Sequence, residues 1–112
     1  MAFTTETKNN ILNALFNGAS LSGGTVTIGL FKPDGSEVSG GGYARQTLTF
    51  ATATSGTISS NNAVFNNLPT GVQITAYKVF GGSVVLDTQN LDSPFTADIS
   101  TNTLTVKFTK NM

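Results

Sequence analysis

The chain has 112 residues, six basic and six acidic side chains, no net charge, no histidine and no cysteine. That excludes a disulfide framework and a zinc site of the usual ligands, and it removes the commonest general base and the best nucleophile. Only 11% of residues are charged, so no basic stripe exists for nucleic acid or an anionic membrane.

The length predicts one domain over residues 1–112, and close to half of the chain is Thr, Ser, Asn or Gly. Such a composition belongs to a β-protein with polar, neutral faces and many turns. The first element is a helix over 4–17, capped by Thr4 or Thr5, with Glu6 in its first turn and Asn17-Gly18 as its stop. Ile11, Leu12, Leu15 and Phe16 form one apolar stripe. That stripe either covers the chain's own sheet or inserts between subunits.

Residues 25–109 then read as an antiparallel β-sandwich of six to seven strands. Strands are expected at 25–31, 43–51, 62–66, 72–80, 83–90 and 103–109, with a further short one near Ala97 to Ile99. Turns are expected at Pro33-Asp34-Gly35, Ser55-Gly56, Leu68-Pro69-Thr70-Gly71, Gly81-Gly82 and Ser93-Pro94. Residues 51–60 are expected to form a mobile loop or the top of a long hairpin. The core positions by parity are Val26, Ile28, Leu30, Leu48, Phe50, Ala63, Phe65, Leu104, Val106 and Phe108. In the 72–80 strand, Val72, Ile74, Ala76, Lys78 and Phe80 share one face and Tyr77 and Val79 the other, as for a central strand beneath a helix.

The segment Ser39-Gly40-Gly41-Gly42-Tyr43-Ala44-Arg45 stands apart. Three successive glycines open the backbone to positive φ, either in a flexible loop or in a fixed corner that presents Tyr43 and Arg45 to a neighbouring subunit. Elsewhere no chemistry is legible. Glu6, Asp34, Glu37, Asp87, Asp92 and Asp98 are widely separated, no Ser-x-x-Lys occurs, and the glycine run lacks the Gly-Lys-Ser ending of a phosphate loop. No catalytic residue, cofactor site or metal site is assigned.

Val26 to Phe31, Glu37-Val38, the 39–45 segment and Leu48-Thr49-Phe50 together resemble a family of small phage virion proteins. Such proteins are usually labelled tail-fibre proteins and are related to capsid decoration or cement proteins. Ile58, Asn61 to Phe65, the Ile74 to Leu86 hairpin and the opening Met1 to Leu12 extend the resemblance over nearly the whole chain. It departs from relatives that carry a tryptophan before the hairpin and a histidine in its first strand; Pro69-Thr70-Gly71 and Ala76-Tyr77 stand there instead.

The resemblance implies a non-enzymatic virion structural protein. Capsid decoration is the first expectation, with the major capsid protein and copies of itself, as a homotrimer, for partners. The alternative is a tail-fibre or tail-tip component that recognises a host surface glycan. Leu12, Phe16, Tyr43 and Arg45 are the expected interface residues. The resemblance implies a place on the virion surface, and with neither a signal peptide nor a membrane span legible, synthesis is expected in the host cytoplasm.

Overall fold

The computed structural model describes residues 4–17 and 25–112; Gly18, the expected helix stop, lies outside them. Helix α1 spans Thr5–Leu12, and its N-cap is Thr4, whose hydroxyl accepts the Thr7 N–H. The helix then widens into a π-helical turn over Asn13–Asn17. Asn9 and Asn13 fasten this element to the chain at 53–56, their side-chain oxygens accepting the N–H of Gly56 and Ala53, each at 2.9 Å. Leu12 and Phe16 point inward, 1% and 4% exposed, so the stripe covers the chain's own core.

Six strands follow among the described residues: β1 Val26–Phe31, β2 Gln46–Thr47, β3 Thr57–Phe65, β4 Gln73–Gly81, β5 Val84–Thr96 and β6 Leu104–Asn111. All pairings are antiparallel, in a four-stranded sheet of order β2-β1-β4-β5 and a two-stranded sheet β3-β6. The core lies between the two sheets and holds Ile28, Leu30, Ile58, Phe65, Ile74, Val79 and Phe108, all essentially without exposure. Among the described residues no buried side-chain N or O atom lacks a hydrogen-bond partner.

Several expected boundaries move, each for a physical reason. The 43–51 strand shrinks to Gln46–Thr47 because the chain changes sheets there. Leu48 N–H still bonds Val26 O, but Asn61 N–H bonds Thr49 O and Ala51 N–H bonds Ser59 O. This crossing closes one flank of the sandwich. Residues 51–60 are the top of a hairpin: Thr54 pairs with Thr57 around Ser55 and Gly56, both at positive φ. The β4–β5 turn is Gly82-Ser83, one residue later than expected, with Gly82 at φ 61°.

Ser93-Pro94 does not end β5. Asn90 faces Ala76 and Phe95 faces Ile74, so residues 91–94 bulge out and pairing resumes. A proline is tolerated because β5 is an edge strand. The short strand near Ala97 to Ile99 is absent; Asp98 instead accepts the N–H of Ser100 and Thr101 in a tight turn. On β4 the irregular pairing at Thr75 shifts the face, so that Ile74 and Val79 both reach the core. Phe80 lies on the outer face against Phe31, beneath Arg45 rather than beneath the helix.

The register gives the sandwich two unlike ends. Val26, Gly81, Val84, Thr57 and Asn111 share one end with the helix. The turns at 32–36, 38–45, 66–72 and 97–103 gather at the other. The molecule measures 47 × 25 × 23 Å.

Candidate functional site

At the loop end, Glu37 is the hub of the corner. Its carboxylate accepts two hydrogen bonds from Arg45, Nε to Oε2 at 2.9 Å and Nη2 to Oε1 at 2.8 Å. The Tyr43 hydroxyl donates to Oε2 at 2.6 Å and accepts the Leu30 N–H at 3.0 Å. That N–H would otherwise be an orphan, because β2 stops pairing with β1 at Ile28. Tyr43 therefore caps the sheet edge while its ring stacks on Phe65 at 5.9 Å, and Arg45 lies 3.9 Å over the Phe80 ring.

Gly29 makes the room for this hub. A Cβ there would sit 2.8 Å from Glu37 Oε2 and 3.0 Å from the Tyr43 oxygen. The glycine run is held just as closely, with Gly42 N–H donating to Asn67 O at 2.7 Å. Gly40 and Gly41 take φ of 91° and 57°. The segment therefore packs as a corner against residues 66–69.

The electrostatics follow from the geometry. Hydrogen bonding from Arg45, aided by Tyr43 and opposed by burial, holds the Glu37 carboxyl below its usual 4.5. Burial first, then the neighbouring carboxylate, pushes the Tyr43 phenol well above its usual 10. The same carboxylate raises Arg45.

The four expected interface residues thus separate. Leu12 and Phe16 are enclosed in the core and offer no surface as the chain stands. Tyr43 is half-buried and structural, and Arg45 keeps an exposed, ion-paired guanidinium at the corner. Beside them opens a surface cleft of about 560 Å³, lined by Lys32, Asp34, Ser39, Pro69, Thr70 and Gln73 among others.

A family model described as podophage GP4 fiber I protein gp80 matches residues 2–107. The chain belongs to that family. The match makes it a phage virion structural protein of the fibre type. No curated protein and no solved structure matches the chain. Among the described residues of this fibre-family protein, no helix is long and apolar enough to cross a membrane. Glu37, Gly29 and Phe80 are the parts of its corner that sequence reasoning missed. A glycine inside a strand pattern was the available signal, since it marks a close approach by another group.

Tyr43→Phe should cost about 1–2 kcal/mol, because it leaves the Leu30 N–H and one Glu37 lone pair without their partner. Chemical denaturation measures it. Acid should act on the same hub. The lowered Glu37 pKa contributes stability above its usual 4.5, and that contribution disappears as pH falls through the folded value. Glu37→Gln should therefore be less stable than the parent at pH 7, with the gap narrowing at pH 3. A gap of equal size at both pH values would contradict this.

Proposed function

We propose that the protein is a non-enzymatic module of the phage tail-fibre apparatus, working as a homo-oligomer whose loop end meets a host surface glycan. The family match over residues 2–107 supports the fibre part of this reading, and we place it ahead of capsid decoration, the first expectation from the sequence. The unlike ends of the fold support it. The helix packs at one end, where Asn9 accepts the Gly56 N–H, and the loops at 32–36, 38–45, 66–72 and 97–103 gather at the other. The cleft at that end combines hydroxyl, amide, ammonium and carboxylate groups beside two proline rings, a mixed lining suited to a hydroxyl-rich ligand. A single open cleft of this kind binds weakly, and several copies on one fibre convert weak contacts into firm adhesion.

Competition for adsorption tests this. Purified protein incubated with host cells should bind them and slow adsorption of the parent phage. Absence of cell binding at saturating protein would remove the recognition role, and antibody labelling confined to the capsid shell would restore decoration, with the major capsid protein as partner.

A further inference from the structure

One flank of the sandwich is closed by the crossing from β2 to β3, so the last strands of both sheets, β5 and β6, lie together on the other flank. Lys110 Nζ stands 3.5 Å from Asp87 Oδ1 and marks their proximity. Among the described residues no strand pairs with the outer edge of β5 or of β6. Two unpaired edges side by side form a template for further strands.

The charges on this flank are segregated. β5 carries Asp87 and Asp92 and no cation, whereas β6 carries Lys107 and Lys110 and no carboxylate. Their heights also match. Asp87 faces Val79, and Asp92 bulges level with Thr75, four residues further along β4. Lys107 is three residues along β6 from Lys110. At about 3.3 Å per residue, Asp92 and Lys107 stand within about one residue of the same level. Both are exposed, and no ion pair is made by either among the described residues.

We infer that this flank is an interface with a second copy of the chain, β5 of one copy pairing with β6 of the next. The inference rests on the homo-oligomeric reading above and specifies its surface and symmetry. β5 runs toward the loop end and β6 away from it, so copies sharing one orientation pair these edges antiparallel. Any rotation axis parallel to the strands on this flank, two-fold or three-fold, sets acidic β5 against basic β6. A two-fold axis perpendicular to the sheets would instead set β5 on β5, carboxylate facing carboxylate. The charges select the parallel axis. Asp92 then meets the partner subunit's Lys107, and the loop ends of all copies point the same way.

Sedimentation of the full chain and of Asp92→Lys, Lys107→Asp and the double variant tests the interface. The parent should be oligomeric. Each single variant should weaken association about tenfold, the double variant should restore it, and amides of 84–90 and 104–111 should gain hydrogen-exchange protection as concentration rises. A parent that stays monomeric at every concentration would overturn self-association itself. A parent oligomer that the single variants leave unchanged, or that the double variant fails to restore, would overturn this interface and leave self-association standing.

Discussion

Gly41→Ala is expected to destabilise the protein by about 2–4 kcal/mol, combining left-handed backbone strain with overpacking. Gly41 has φ 57°, and a Cβ there would stand 2.7 Å from the Asn67 carbonyl oxygen and 3.1 Å from the Pro69 nitrogen. Both are backbone atoms, so the clash is relieved only by parting two loops. Gly40→Ala supplies the contrast. Its φ is 91° but its Cβ would meet nothing within 4 Å, so only the strain of about 1–2 kcal/mol remains. Thermal unfolding separates the two, at roughly 4 °C or more per kcal/mol for a chain of this size. Equal shifts would mean that the 39–45 corner moves away from 66–69 at little cost. That outcome would contradict the fixed corner.

The second large effect is expected at Phe108, which has no exposure and packs with Phe16 at 5.3 Å and edge-on to Phe50 at 6.1 Å. Phe108→Ala should cost about 3–5 kcal/mol, since the helix, the sheet crossing and β6 meet around the cavity it leaves. Domains of this size hold only about 5–15 kcal/mol in total, so this one change brings the chain close to unfolding. Leu12→Ala should cost about 2–5 kcal/mol for the same reason, although the site lies on the helix. A helix that served as an arm for a neighbouring subunit would give Leu12→Ala little effect on the isolated chain. Denaturation of the purified protein distinguishes these outcomes.

Most of the fold was legible where a strand buries one face along its whole length. Val26, Ile28 and Leu30 and the Val106-Phe108 pair keep period two because each stays within one sheet. The 43–51 run looks like one strand for the same reason, yet Leu48 and Phe50 serve two sheets in turn. Alternation reports burial, not which partner strand supplies the hydrogen bonds. Ser93-Pro94 misled because a proline breaks only the outer ladder of an edge strand, and edge position is a tertiary fact.

The site was half legible. The glycine run announced a corner that needs positive φ, and Tyr43 and Arg45 were read as the side chains it presents. Glu37 and Gly29 were not read into the corner. A bidentate ion pair joins residues eight apart through the folded loop, and nothing local specifies it. The amphipathic stripe of Leu12 and Phe16 showed that something covers that face. Only the packing of Phe16 on Phe50 and Phe108 shows that the cover is the chain itself.

The most direct measurement is a cryo-EM map of the intact particle, searched for this 47 Å sandwich. Density in the tail or its fibres, with several copies side by side and their loop ends pointing outward, is the predicted result. Density at regular positions over the capsid shell and none in the tail would contradict it and make the protein a decoration of the shell.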